Sequence, residues 1–196
     1  MNYKKSLLLL LLSIGLLQCA PAPGTKDQPV EIRGVTYDSF TQLTNSLDSL
    51  PAVINKSWKL WKAESWGPLE TFYEKNNYNW EYPPAQGFIS VDTVILASNT
   101  KIDRYGRLTG YFVAPTGTPF GQRSLPASSK SKVYYRFNVV KDIPGVLQGP
   151  AIPWFTMPGK GRQYMMPKKI SQLISEGYIA VIDSVMPKGK LDKYHD

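Results

Sequence analysis

Hydrophobic and polar positions change texture several times along the chain. Met1-Asn2-Tyr3-Lys4-Lys5 opens with a short basic stretch, and Ser6 to Leu17 is almost wholly apolar. A basic start followed by a short apolar run is the pattern of an export signal. The run of about 12 residues falls short of the ~20 needed to cross a bilayer, so residues 1–19 read as a signal peptide outside the fold. Residues 20–36, opening Ala20-Pro21-Ala22-Pro23-Gly24, carry no hydrophobic period and read as a tether. From Tyr37 to Tyr73 apolar residues recur at spacings of three and four: Phe40, Leu43, Leu47 and Leu50, then Trp58, Leu60 and Trp61, then Leu69, Phe72 and Tyr73. That period predicts a small helical subdomain over 37–77, with these side chains on its buried face.

After Trp80 the helical period disappears. Short β-rich runs at Gly87–Ala97, Gly110–Ala114, Val133–Val140 and Gly177–Ile182 are separated by Pro/Gly turns such as Tyr82-Pro83-Pro84, Pro115-Thr116-Gly117 and Pro158-Gly159-Lys160-Gly161. One further helix is predicted over Lys168–Glu176, with Ile170, Leu173 and Ile174 on one face and Gly177 as its stop. Short strands, turns and few crossover helices predict an α+β fold, a mainly antiparallel sheet domain over 78–196 with the small helical extension in front of it. No internal repeat is present.

Charge and cysteine content add limits. The formal charge of +8 becomes +6 when Lys4 and Lys5 leave with the signal. A positive balance suits an anionic small molecule, nucleic acid or a membrane surface. The basic residues are scattered, however, and the densest group, Lys188 to Lys193, lies in a terminal tail that reads as solvated, so no nucleic-acid partner is expected. The only cysteine, Cys19, follows Leu16-Leu17-Gln18 at the end of the apolar run. Two readings stand open: Cys19 is the lipidated first residue of a surface or outer-membrane lipoprotein, or ordinary cleavage occurs nearby, for example after Ala20. Either way the mature fold of about 175 residues has no internal disulfide and relies on its core.

Several catalytic classes are excluded. No Gly-rich loop leads into a Lys-Ser/Thr pair, no Gly-x-Gly-x-x-Gly follows a strand, and no Cys/His cluster has metal spacing, so neither metal nor cofactor is expected. The single histidine, His195, is next to last and reads as exposed and inert, which removes Ser-His and Cys-His nucleophilic catalysis. What remains is a series of Gly/Pro-framed segments rich in Arg, Gln and aromatic residues. They are Trp80-Glu81-Tyr82-Pro83-Pro84-Ala85-Gln86-Gly87-Phe88, Asp103-Arg104-Tyr105-Gly106, Gly110 to Pro115, Gly117-Thr118-Pro119-Phe120-Gly121-Gln122-Arg123-Ser124-Leu125-Pro126, and Gly149-Pro150-Ala151-Ile152-Pro153-Trp154-Phe155 running into Gly159-Lys160-Gly161-Arg162-Gln163-Tyr164.

In that order and spacing, over about residues 78–186, these segments resemble the tuberculosis necrotizing toxin family and its related secreted fungal NADases. The resemblance implies hydrolysis of the nicotinamide–ribose bond of NAD or NADP, with the dinucleotide as substrate, and an immunity protein as a possible partner. The chemistry is compatible with the residue types present. Nicotinamide is already cationic in NAD and departs as a neutral base, so the general acid of most glycosidases is dispensable. The site has to anchor a pyrophosphate, orient the nicotinamide riboside and stabilise positive charge moving onto the sugar.

On this resemblance Arg104 and Arg123 are expected to grip phosphate oxygens, and Phe112 to stack on nicotinamide or face the ribose cation. Gln163, whose amide both donates and accepts, is expected to hold a ribose hydroxyl or a water. Asp183, placed just beyond the last predicted strand, is expected to contribute a carboxylate near the sugar. Arg123, Phe112, Gln163 and Asp183 thus form the expected catalytic set. Asp103 is expected to cap its own turn. Lys160 stands where many relatives have glycine, which narrows the loop's backbone choices or adds a cation near phosphate. Two alternatives remain: an ADP-ribosyltransferase, disfavoured by the lack of a Gln-x-Glu or Glu-x-Glu loop, and a non-catalytic surface lipoprotein that binds glycan, nucleic acid or protein.

The lipidation reading has a direct test. Expressed in its native host, the wild-type chain is expected in the membrane fraction and Cys19→Ser in the soluble fraction; a soluble wild-type protein removes the lipid reading.

Overall fold

The computed structural model describes residues 30–44, 51–76 and 83–186. Cys19, the signal segment, Trp80 to Tyr82, Leu47, Leu50, the Lys188–Lys193 group and His195 lie outside the described residues.

The first described segment departs from the tether expected over 20–36. Glu31–Ile32 (β1) and Val35–Thr36 (β2) pair antiparallel around Arg33 and Gly34, both at positive φ (51° and 79°). Positive φ at both central residues is the signature of the tight hairpin turn whose twist matches the flanking strands. The turn is seated, because a Cβ on Gly34 would stand 2.2 Å from Val91 O.

Three helices follow, as the period predicts. They are Tyr37–Leu43 (α1), Pro51–Lys62 (α2) and Trp66–Lys75 (α3). Thr36 caps α1 through a reciprocal arrangement with Ser39: its Oγ1 accepts from Ser39 N (3.1 Å), and Thr36 N donates to Ser39 Oγ (2.8 Å). The helices do not bury a core of their own. Phe40, Trp58, Trp61, Leu69 and Tyr73 pack together with Ala85, Ile89, Ile152 and Trp154 from the segment beyond residue 78, so the expected boundary at 77/78 runs through a shared core.

Among the described residues the sheet has seven strands: Asp92–Leu96 (β3), Lys101–Tyr105 (β4), Phe112–Pro115 (β5), Tyr134–Val139 (β6), Ile143–Pro150 (β7), Arg162–Met165 (β8) and Ile179–Val185 (β9). Their order is β3-β7-β8-β5-β4-β6-β9, and every pairing is antiparallel. The expected α+β class with a mainly antiparallel sheet is what the chain adopts. Ile170–Ser175 (α4) sits within the predicted helix. It joins Ile170 and Leu173 to Ile102, Val113, Phe137, Val146, Tyr164 and Met166 in a second core on one face of the sheet.

Differences from the sequence reading have local causes. Gly87 to Val91 was expected to be strand, but the strand begins at Asp92 because Ala85–Gly87 is a tight turn. The β7 segment is absent from the predicted β-rich runs, because Pro144, Gly145, Gly149 and Pro150 punctuate it. Gly149 is required there for a packing reason: a Cβ would lie 1.8 Å from Ser90 O and 3.1 Å from the Phe88 ring. Gly149→Ala is therefore expected to destabilise by about 1–3 kcal/mol, the scale of overpacking a tight interior. Thermal melting should drop by about 2–4 °C for each kcal/mol; an unchanged melt would place Ser90 elsewhere.

Candidate active site

Strand alternation sorts the site residues by face. In β4, Ile102 belongs to the core face, so Asp103 and Tyr105 point to the opposite one. The register carries that second face across the sheet. Asp103 pairs with Ala114 in β5 and with Arg136 in β6, and Arg136 pairs with Asp183 in β9. On the other side Val113 pairs with Tyr164, which by continuation sets Ala114 opposite Gln163, and Gln163 pairs with Gly149 in β7. One transverse row on one face thus runs Gly149, Gln163, Ala114, Asp103, Arg136, Asp183. Phe112 lies two residues along β5 on the same face.

Asp103 is the centre of this row. Its side chain is fully buried and that of Arg123 is 7% exposed, and the two form an ion pair. Asp103 also accepts from Tyr134 Oη (2.6 Å) and Gly117 N (3.3 Å). The expectation that Asp103 caps its own turn is corrected: its partners come from β6 and the 117–123 loop. A buried carboxylate must be matched by charge and hydrogen bonds, and here the match draws that loop onto the sheet. Burial first, and then the bond to Asp103, push the Tyr134 phenol up to about 12.

Arg123 is thereby committed. Its Nε donates to Thr118 O (2.9 Å), and its guanidinium lies 5.4 Å from the centre of the Tyr105 ring, which in turn packs on Phe120 and Tyr134. The loop carrying it interlocks with the loop before Gln163. Gly159 N donates to Gly121 O (3.1 Å) and Gly161 N to Gln122 O (3.0 Å). A Cβ on Gly161 would stand 2.7 Å from Gln122 O, so glycine permits the approach. Lys160 between them is exposed, at φ 66°, a left-handed conformation that a glycine would hold without strain.

Gln163, half-buried, donates from Nε2 to Gly87 O (2.9 Å), and the Phe88 ring lies 6.2 Å from that of Phe112. The structure therefore brings Gln163 and Phe112 to the same turn, Ala85–Phe88. That turn is strained: Ala85 and Gln86 sit at φ 52° and 53°, with Gly87 at 75°.

Two expected site residues are placed differently. Arg104 alternates away from Asp103 toward the core face, where its Nη1 donates to Phe112 O (2.5 Å) and its guanidinium fills the space over Gly110. Burial lowers its pKa. It braces the backbone of Phe112. Asp183 lies inside β9 instead of beyond it, and its carboxylate is held by Arg136 through Nε (2.8 Å) and Nη2. That bond lowers its pKa. Four strand spacings, roughly 19 Å along the sheet, separate it from Gln163. Tyr134, Tyr105 and Gly87 were missed as site neighbours; Tyr105 and Gly87 lie in the quoted motifs, whereas Tyr134 carried no signal beyond β propensity. A groove of about 620 Å³ between α2 and α3, lined in part by Lys56, Leu60, Pro68 and Phe72, holds none of these residues. Among the described residues no group of three or more His, Cys, Asp or Glu could hold a metal, and no helix is long and apolar enough to cross a membrane.

Fold and site together define an antiparallel α+β domain with an Arg/aromatic/Gln cluster on one sheet face. Residues 95–182 match the family model described as tuberculosis necrotizing toxin. The chain is also similar to the conidial surface nicotinamide adenine dinucleotide glycohydrolase nadA of Aspergillus fumigatus. The two are 37% identical over 122 residues, 55% of this chain and 51% of the relative, so the chain spans about half of that protein's length. Among solved structures it is similar to tuberculosis necrotizing toxin complexed with its immunity factor IFT (TM-score 0.43, 21% identity, 50% of this chain and 60% of that chain). It is also similar to Rhs1-CT in complex with its cognate immunity protein RhsI1 (TM-score 0.38, 14% identity, 50% of this chain and 82% of that chain).

The raised Tyr134 pKa gives a pH dependence with a definite sign. An acid whose folded pKa lies above its unfolded value adds stability at lower pH, and that stability is lost as pH rises through the folded value. Wild-type stability should fall between pH ~10 and ~12, more steeply than that of Tyr134→Phe. Melts at several alkaline pH values, with phenolate absorbance, check this; equal slopes would refute it.

Proposed function

We propose that this chain is an NAD glycohydrolase, hydrolysing NAD to nicotinamide and ADP-ribose outside the cell or at its surface. The observation that carries the reading is the convergence of Gln163 and Phe112 on the Ala85–Phe88 turn, in a chain 37% identical over 122 residues to a named NAD glycohydrolase. In the reaction the C1′–N bond breaks, its electron pair leaves with nicotinamide, water adds to C1′, and one proton goes to solvent. No side chain has to protonate the leaving group.

Each residue has a part in this reading. Phe112 faces the nicotinamide or the cationic ribose with its ring. Gln163, its Nε2 held by Gly87 O, presents Oε1 to a ribose hydroxyl or to the attacking water. Arg123, with Nη1 on Asp103 and Nε on Thr118 O, has Nη2 to offer to phosphate. Arg104 acts through Phe112, and Asp183, held by Arg136, stands outside the reacting centre.

The mature protein should convert NAD to nicotinamide and ADP-ribose without added metal, and Gln163→Ala should lower kcat by about 10²-fold, the scale of removing one well-placed polar group. Intact NAD after prolonged incubation with folded protein overturns the reading; ADP-ribose appearing on a protein acceptor would move it to a transferase. Arg123→Ala is a poor probe, because it strands the buried Asp103 at a cost of about 3–5 kcal/mol.

A further inference from the structure

The family match begins at residue 95, yet the turn that receives Gln163 lies before it and is held from further upstream. Three consecutive residues at positive φ, two of them not glycine, persist only where the surroundings over-determine them. The surroundings here are named bonds. Ala85 N donates to Thr44 Oγ1 (3.1 Å), and Thr44 Oγ1 donates in turn to Phe40 O (2.6 Å). The second bond fixes the hydroxyl rotor, so that a lone pair is left for Ala85 N. Trp61 Nε1 donates to Phe88 O (3.0 Å), and Arg33 Nε to Ile89 O (3.0 Å). Thr44 is 4% exposed and Trp61 fully buried, so water cannot replace either partner.

Between these two anchors sits Gly87 O, which accepts from Ile152 N (2.8 Å) and from Gln163 Nε2 (2.9 Å). Were the turn to relax toward ordinary φ values, that carbonyl would rotate and Gln163 would lose the bond that orients its amide. The Phe88 ring, which lies against Phe112, moves with the same backbone.

We propose that Thr44 and Trp61, in the helical layer outside the family-matching segment, are positioning residues for Gln163 that act through the left-handed turn Ala85–Gly87. The inference rests on the NAD glycohydrolase reading for its kinetic consequence, and on geometry alone for its structural one. The helical layer is then a working part of the site and not a spacer between tether and enzyme. Its contribution differs from general stability, since it sets the direction of one amide.

The test uses the mature full-length chain. Thr44→Val keeps the shape and removes the hydroxyl, whereas Thr44→Ser keeps the hydroxyl. Thr44→Val should lower kcat about 10-fold with KM within about 3-fold, and Thr44→Ser should restore it, since misplacement by a fraction of an ångström acts mainly on the chemical step. In ¹⁵N-labelled protein without substrate, the Gln163 side-chain amide signal should shift and exchange faster with solvent in Thr44→Val but not in Thr44→Ser. If Thr44→Val fails to fold, Trp61→Phe, which removes the N–H onto Phe88 O, should show the same two effects. A folded variant with lowered melting but wild-type kcat and an unmoved Gln163 signal overturns the proposal, as does lowered kcat with that signal unmoved. An inactive wild-type protein would instead sink the NAD reading, with the Gln163 amide signal still deciding the positioning claim.

Discussion

The buried Asp103–Arg123 pair is the constraint on which the arrangement of the sheet face depends. A fully buried carboxylate cannot stay ionised in a strand without partners on all sides, and removing one partner from such a pair costs about 3–5 kcal/mol. Its three partners arrive from two places in the chain: Arg123 and Gly117 from the loop after β5, and Tyr134 from β6. That loop is thereby pulled onto the sheet and brought against Gly159 and Gly161, which lead into Gln163. One charge in β4 thus fixes the relation between two loops that sequence separates by about forty residues.

The second organising feature is the sharing of a core. Trp61, Tyr73 and Phe40 of the helices bury against Ala85, Ile152 and Trp154 from the segments that frame Gln163. Tyr73 and Trp154 meet edge to face, with ring centres 5.6 Å apart. Glu70 of α3 accepts from Phe155 N (2.6 Å), and burial holds its pKa above the usual carboxylate value despite that bond. Phe155 and Thr156, like Ala85, Gln86, Ser124 and Lys160, sit at positive φ. Strained backbone therefore concentrates in the loops around the candidate site, as expected where function fixes a conformation that local preference opposes.

The sequence by itself determined the element types and the class. Helical spacing in 37–73 and short β-rich runs after residue 87 reflect burial of one face at periods of 3.6 and 2, which is a local requirement. The ordered Gly/Pro-framed motifs likewise marked Phe112, Arg123 and Gln163. The strands at Lys101–Tyr105, Ile143–Pro150 and Arg162–Met165 escaped, because charge in the first, Pro/Gly in the second and shortness in the third conceal the pattern when partners are unknown.

Tertiary structure decided which of those residues face each other. Alternation sends Arg104 to the core face and Asp103 to the site face, although they are neighbours in sequence. Register, in turn, aligns Gln163 with Asp103 across β5 and leaves Asp183 to Arg136 four strands away. A one-residue shift in any pairing would have exchanged these roles, and pairing is fixed by contacts between segments far apart in the chain. No local pattern in the sequence records that choice, so the meeting of Thr44, Ala85 and Gln163 could be read only from the folded chain.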